Sequence, residues 1–350
     1  MNGASERPLR IIHSAAPVRI CDNGGWSDTW FARTGRVFHI AVTPLTEVEV
    51  RVFPRASREH RFDIFAENYG ERLALSEPRG NYGKHPLLEA ALDYIPVPEE
   101  YALEVTIYSR APAGCSTGTS ASVSVALLGA LARLSGKEWT PHDAAMAAHS
   151  VETQLLGLQS GIQDQLGAAY GWINLIDMYA YPHAHVHQLS LPDEVAWELE
   201  ARLSLIYLGQ SHNSSDVHRM VIRQLEAEGE MAPRLAPLRD CALEAAAALQ
   251  RGDFAALGRS FVRNTEAQKA LHPDLAGPFH RRVIEIAAEF QADGWKINGA
   301  GGAGGSVAIL GPAQRSRQRE MIRAILNSNK AFQSIPVDLA PRGLRIWETE

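Results

Sequence analysis

Alternating apolar and polar positions with a β-branched bias mark Val18–Cys21, Val37–Val52 and Tyr101–Tyr108 as strands, while Ser120–Leu134 and His142–Leu158 carry the spacing and Ala/Leu content of helices. Gly171–Ile176 and His183–Leu191 return to strand patterning. After Pro192 a short apolar strand, Leu203–Leu208, precedes helical runs over Val217–Glu228, Ala236–Gln250, Asp253–Leu271 and Pro278–Gln291. Two further strands, Trp295–Asn298 and Ser306–Leu310, flank a glycine loop and lead into a helix at Ala313–Asn327. Strands cluster with helices instead of alternating strictly with them, which predicts α+β over a doubly wound sheet. No repeat interrupts this order, and the change of pattern near residues 190–200 predicts two domains, 1–195 and 196–350.

Composition narrows the class. At 350 residues, 45% hydrophobic and 21% charged, the chain has the makeup of a folded enzyme or binder and excludes a peptide ligand or a disulfide-stapled module. Its 34 Lys+Arg against 40 Asp+Glu leave a net charge of −6, so no bulk positive field attracts nucleic acid or an anionic membrane, and any phosphate must be bound locally. Three dispersed cysteines, Cys21, Cys115 and Cys241, fit a reducing compartment, with cytoplasm the expected location. The longest apolar-rich run, Ala121–Leu134, falls short of the roughly 18 residues of a membrane span.

The chemistry concentrates in a few places. Ala111-Pro-Ala-Gly-Cys-Ser-Thr-Gly-Thr-Ser-Ala-Ser122 is a small-residue loop running into an apolar helix. Unsatisfied N–H groups and the positive end of the helix dipole make such a junction a phosphate cradle; a plain capped helix start is the alternative. At such a terminus the Cys115 thiol is expected to be acidified. Gly299-Ala-Gly-Gly-Ala-Gly-Gly305 has dinucleotide-like spacing but runs into a strand instead of opening a helix, so it reads as a backbone surface for close approach to a ligand or loop. Asn23-Gly-Gly-Trp-Ser-Asp28 follows a strand, as a site loop or a simple turn would. Glu152 on a helix and Asp164 in a short loop form a carboxylate pair suited to holding Mg²⁺ and accepting a proton. His183, His185 and His187 share one face of a strand, which reads as an exposed or edge strand in preference to a metal site.

In order and spacing these stretches resemble the GHMP kinase superfamily. Ala16-Pro-Val-Arg19 through Asp28 is similar to its substrate motif, and Pro112 to Ser122 to its phosphate motif Pro-x-x-x-Gly-Leu-Gly-Ser-Ser-Ala. Lys296-Ile-Asn-Gly-Ala-Gly-Gly302 is similar to the family's C-terminal glycine motif. Gly24-Gly-Trp-Ser-Asp-Thr29, Gln163-Asp-Gln165 and Tyr207-Leu-Gly-Gln-Ser-His-Asn-Ser214 look most like the fucokinase and heptose-phosphate kinase branch. The resemblance implies a ribosomal-protein-S5-like N-terminal domain, a ferredoxin-like C-terminal domain and an active site between them.

It further implies Mg²⁺-dependent transfer of the ATP γ-phosphoryl group to a sugar or sugar-phosphate hydroxyl, the anomeric one. Asp164 would then be the general base and Arg19 its partner. Pro112, Gly114, Cys115, Ser116, Thr117, Gly118, Thr119 and Ser120 would hold nucleotide, braced by Gly301 and Gly302. Arg19, Gly24, Gly25, Trp26, Ser27, Asp28, Gln163 and Asp164 would bind the sugar, and Ser120 and Glu152 the metal. Two rival readings stay open: a kinase for a non-sugar alcohol such as mevalonate, and a sugar- or ATP-sensing protein without catalysis. The polar motif ending at Asp28 weighs against the first, and the presence of Ser120, Glu152 and Asp164 against the second.

Overall fold

Two long antiparallel strands, β1 (Arg10–Asn23) and β2 (Gly35–Pro54), form the backbone of the first half, with Val18 opposite Val42 and Ile20 opposite Ile40. The structure, a computed structural model, describes residues 7–77, 80–210, 216–228 and 233–349. After β2 come the hairpin β3 (Phe62–Ala66) and β4 (Glu71–Leu75), helix α1 (Pro86–Tyr94) and β5 (Tyr101–Ser109). Helices α2 (Thr119–Leu134), α3 (Pro141–Ser150) and α4 (Gln163–Tyr170) then pack together before β6 (Ile173–Ala180) and β7 (His183–Gln188).

Small residues let α2 lie close to the sheet: Ser122 Oγ donates to the Ala16 carbonyl at 2.9 Å, and Ser14 Oγ to that of Ala126 at 2.7 Å. These bonds satisfy buried hydroxyls that would otherwise be costly. Around them Ile12, Val48, Val50, Val125, Leu128 and Leu131 make an apolar core.

The second half begins with α5 (Asp193–Arg202) and β8 (Leu203–Tyr207) and continues through α6 (Asp216–Glu228), α7 (Ala236–Gln250), α8 (Phe254–Leu271) and α9 (Pro278–Glu289). It then adds β9 (Gly294–Ile297), β10 (Ser306–Leu310), α10 (Arg315–Ser328), β11 (Gln333–Ile335) and β12 (Arg345–Thr349). A four-stranded antiparallel sheet runs β11-β8-β10-β9, beside the eight-stranded sheet of the first half. Between them Ala242, Leu249 and Phe261 of α7 and α8 share one core with Ile20 and Phe38 of the first sheet and Leu205 and Ala308 of the second. The last strand, β12, returns to pair with β1, Ile11 opposite Thr349, so a boundary at residue 195 leaves one strand of the first sheet in the second part of the chain.

Two local expectations change and a third holds. The helix expected over His142–Leu158 stops as an α-helix at Ser150 and continues as a π-helical turn, Val151–Leu155, which carries Glu152. The loop expected around Asp164 is the first turn of α4. Among the described residues strand β7 pairs with β6 alone, at the sheet margin, and leaves His183, His185 and His187 exposed, as an edge strand does.

Candidate active site

A shift in register between Ile20 and Asn23, with Cys21 at φ +57°, turns the end of β1 toward the second half of the chain. Asp22 thereby meets Lys296 of β9 at 3.2 Å, with both side chains 1% exposed. Both Asp22 oxygens also accept from the Gly299 N–H, at 3.2 and 3.0 Å. Lys296 donates in addition to Gln268 Oε1 and the Ile297 carbonyl, and Asn298 Oδ1 accepts from the Cys21 N–H at 3.0 Å. Burial lowers the Lys296 pKa and Asp22 opposes that fall. A residue of each motif is thus bolted to the other across a sequence gap that no local pattern spans.

Three residues before Asp22, Arg19 reaches toward α4. Its Nε donates to Asp164 Oδ1 at 2.8 Å and its Nη1 to the Ser116 carbonyl at 2.7 Å. Burial works against this charge, but Asp164, Asp22 and Asp28 outweigh it and raise the Arg19 pKa, so the guanidinium stays ionised. Behind it His39 is fully buried; burial and then the Arg19 charge push its pKa down to about 3, so its imidazole is neutral.

The Ala111–Ser122 loop is built by local backbone constraint. Gly114, Ser116 and Gly118 adopt positive φ, and Gly118 caps α2 without any side-chain bond to the first turn. The N–H groups of that turn thus lack a side-chain acceptor, and Ser116 Oγ is buried with no partner. A Cβ on Gly118 would lie 3.1 Å from Asp164 Cγ, so the loop rests directly on that carboxylate. Beside the loop lies a cavity of about 370 Å³, walled by Leu87, Ile107, Val123, Asn68 and Tyr69 and open to Gly114 and Ser120. Cys115 corrects the expectation of an acidified thiol: it is 1% exposed and burial pushes its pKa up to about 11. Its carbonyl, accepting from Ser306 Oγ, ties the loop to β10.

On the other face of Asp164 is a cleft of about 140 Å³ lined by Arg19, Asp22, Asp28, Gln163 and an aromatic wall. Asp28 is 2% exposed, and its Oδ2 accepts from the N–H groups of Ile162 and Gln163, both at 3.0 Å, so it caps α4 from 134 residues away. Burial and the Asp164 charge push its pKa up to about 6 despite those bonds. A carboxyl with a folded pKa above its usual value near 3.9 costs stability as pH rises through that window. Asp28→Asn is therefore expected to stabilise the chain by about 2–3 kcal/mol at pH 7 and not at all below about pH 4. Urea unfolding at the two pH values checks this; an equal gain at both would exclude the ionisation as its cause.

Of the remaining expected sugar contacts, Trp26 lines the cleft, whereas Ser27 is buried and bonds the Gly24 and Arg36 carbonyls. A Cβ on Gly24 would meet the Arg36 oxygen at 2.0 Å, and Gly25 packs on Asp22 and Gln163. These three hold the loop's shape. Glu152, 8% exposed, accepts from Ser160 Oγ at 2.7 Å and Gln165 Nε2 at 2.9 Å, both on Oε2. Burial, with Asp164 adding to it, pushes its pKa up to about 7 against the bonds from Ser160 and Gln165.

Residues 86–172 match the family described as GHMP kinases N terminal domain. The solved structure of a D-glycero-D-manno-heptose 1-phosphate kinase from Bacteroides thetaiotaomicron superposes with a TM-score of 0.74 at 20% identity, covering 97% of this chain and 99% of that one. The chain has the GHMP kinase fold. In sequence it is 23% identical to the D-glycero-alpha-D-manno-heptose 7-phosphate kinase of Campylobacter jejuni, over 97% of this chain and 99% of that protein. It is 24% identical to the bifunctional fucokinase/GDP-fucose pyrophosphorylase of Arabidopsis thaliana over 86% of this chain, spanning 30% of that longer protein.

The matched GHMP kinase domain holds the small-residue loop, Glu152 and Asp164, while Arg19, Asp28 and the glycine loop lie outside it. In that glycine loop it is Gly299 that touches the small-residue loop: its Cβ would stand 3.1 Å from Ser116 Cβ. Gly301 and Gly302 instead lie against Leu275 and Ala276. Positions 211–214 of the Tyr207–Ser214 segment, including His212, lie outside the described residues. Sequence reasoning missed Asp22, Lys296, Gln268 and Trp30. A lysine inside the otherwise apolar strand Gly294–Ile297 was the available signal, since such a charge needs a buried partner.

Proposed function

We propose that this protein transfers the γ-phosphoryl group of ATP to a sugar hydroxyl, the anomeric one, with the acceptor in the 140 Å³ cleft and the nucleotide in the 370 Å³ cavity. The observation that carries the reading is the position of Asp164, which lines the cleft and touches Gly118 of the small-residue loop. An acceptor hydroxyl and a terminal phosphate are thereby brought to one carboxylate. The similarity to heptose-phosphate kinase and fucokinase supports the same assignment.

In this reading the backbone amides of residues 114–119, the first turn of α2, which has no side-chain cap bond, and the orphaned Ser116 hydroxyl receive the phosphates. Asp164 accepts the acceptor's proton. Arg19 holds that carboxylate ionised and adds positive charge beside the transferring group. Ser120 and Glu152 offer the hard oxygen ligands that Mg²⁺ prefers. When bound, Mg²⁺ would neutralise charge on the phosphates. Asp28 acts by fixing the start of α4, and thus Gln163 and Asp164. The division into parts 1–195 and 196–350, with the site between them, and a cytoplasmic location belong to the same proposal.

The test is transfer of label from γ-labelled ATP to a panel of sugars. Ser120→Ala and Glu152→Gln are expected to raise the Mg²⁺ concentration for half-maximal rate by about tenfold or more. An unaltered Mg²⁺ dependence in both would remove them as ligands. Labelled inorganic phosphate with no sugar product would remove the kinase reading.

A further inference from the structure

Glu152 is held by a chain of hydrogen bonds that extends to side chains outside the cleft and the small-residue loop. It sits on the π-helical turn Val151–Leu155, and the segment that follows folds back on it. The Leu158 N–H donates to the Glu152 carbonyl at 2.9 Å, and the Ser160 hydroxyl donates to Oε2 at 2.7 Å. From α4 the Gln165 amide, 1% exposed, donates to the same Oε2 at 2.9 Å and to Ser160 Oγ at 3.1 Å. Both side-chain bonds to the carboxylate thus fall on one oxygen. Among the described residues Oε1 accepts none, and a buried carboxylate with one oxygen fixed and the other unshared fits a hard cation.

Ser160 is fixed in turn from a third element. The hydroxyl of Tyr181, between β6 and β7, donates to the Ser160 carbonyl at 2.8 Å. With its proton given there, the phenol oxygen accepts from His149 Nε2, 2.8 Å away, and the two rings meet edge-on at 5.4 Å. Tyr181 is itself anchored, because its backbone N–H donates to the Arg33 carbonyl at 2.8 Å and its ring packs on the first core. On the other side of the segment a Cβ on Gly161 would stand 2.3 Å from Asp28 Oδ2. Gln159, Ser160 and Gly161, which line the 140 Å³ cleft, are therefore pinched between Tyr181 and Asp28. A serine on a segment so held has its hydroxyl aimed before any ligand arrives.

We propose that Tyr181 is a positioning residue for phosphoryl transfer: its hydroxyl fixes Ser160 through the backbone carbonyl, and Ser160, with Gln165, presents Glu152 Oε1 to the cation. This rests on the reading of Glu152 as a Mg²⁺ ligand. Loss of the hydroxyl strands the Ser160 carbonyl and the His149 N–H together, so the segment shifts and the aim of the carboxylate is lost with it.

The experiment reads binding without turnover. The full chain is titrated calorimetrically with a non-hydrolysable ATP analogue, once with Mn²⁺ in place of Mg²⁺ and once in EDTA, so that the ratio of the two dissociation constants measures how far the cation tightens binding. Tyr181→Phe, which keeps the ring, and Ser160→Ala are each expected to reduce that ratio about tenfold, with the value in EDTA unchanged. The double variant is expected to lose no more than either single one, because the hydroxyl acts through Ser160. A Tyr181→Phe chain that unfolds at lower urea but keeps the parent ratio overturns the proposal, as do losses that multiply in the double variant. Glu152→Gln separates the failures. If it reduces the ratio and Tyr181→Phe does not, the metal reading of Glu152 stands and the positioning role falls. If Glu152→Gln leaves the ratio unmoved, or Mn²⁺ does not tighten binding in the parent, both fall, and the label-transfer assay decides the kinase reading separately.

Discussion

Asp164→Asn should lower kcat by about 10²–10⁴-fold while leaving nucleotide affinity within a few-fold of the parent, because it removes a proton acceptor and little else. The Asn oxygen can still accept from Arg19 Nε, now 2.8 Å from Asp164 Oδ1, so the side chain is expected to keep its place. Arg19 would remain beside Asp22 and Asp28, whose charges also favour its ionised form. The contact of residue 164 with Gly118 persists in the isosteric variant, and with it the packing of the small-residue loop. Steady-state kinetics with the best acceptor, together with calorimetric titration of nucleotide, separate the two effects. Full turnover in Asp164→Asn would take the base role away from this residue. Loss of nucleotide binding in step with turnover would show that its carboxylate shapes the loop instead.

The second large effect is expected on stability. Lys296→Met removes one partner of an ion pair whose side chains are both 1% exposed, leaving the Asp22 carboxylate buried with, among the described residues, the Gly299 N–H as its hydrogen-bond donor. Breaking such a pair from one side typically costs about 3–5 kcal/mol, mostly as the penalty for the charge left behind. Removing both charges, in Asp22→Asn with Lys296→Met, should recover much of that loss. Urea unfolding of the single and double variants measures the coupling directly. If the double variant were as unstable as the sum of the singles, the two residues would be acting independently. Since Asp22 also binds Gly299, and Gly299 packs on Ser116, the single variant is further expected to raise KM for ATP.

The same geometry explains which parts of the molecule were legible beforehand. Val37–Val52 and Ser120–Leu134 were readable because periods of two and of three to four residues are properties of neighbouring positions. The small-residue loop was readable for a similar reason: Gly114 and Gly118 supply positive φ locally, whatever the rest of the chain does. Asp164 was recognised as a site residue but assigned to a loop. Helix α4 has no Ser, Thr, Asp or Asn at its N-cap, which is Ile162, and the carboxylate that satisfies its first N–H groups comes from Asp28. A cap delivered from β1's following loop leaves no trace in the helix's own residues.

Composition, charge, strand and helix periods and the backbone demands of the glycine positions are short-range properties, and they were enough for an α+β chain with a small-residue loop entering a helix and two acids nearby. Folding alone brought Asp22 to Lys296, Asp28 to Ile162, Gly299 to Ser116 and Arg19 to Asp164, placing one carboxylate between a cleft and a loop. The physical reason is separation along the chain. These partners are chosen by burial, by the bulge at the end of β1 and by the shared core of α7 and α8 between two sheets, none of which is a function of adjacent residues.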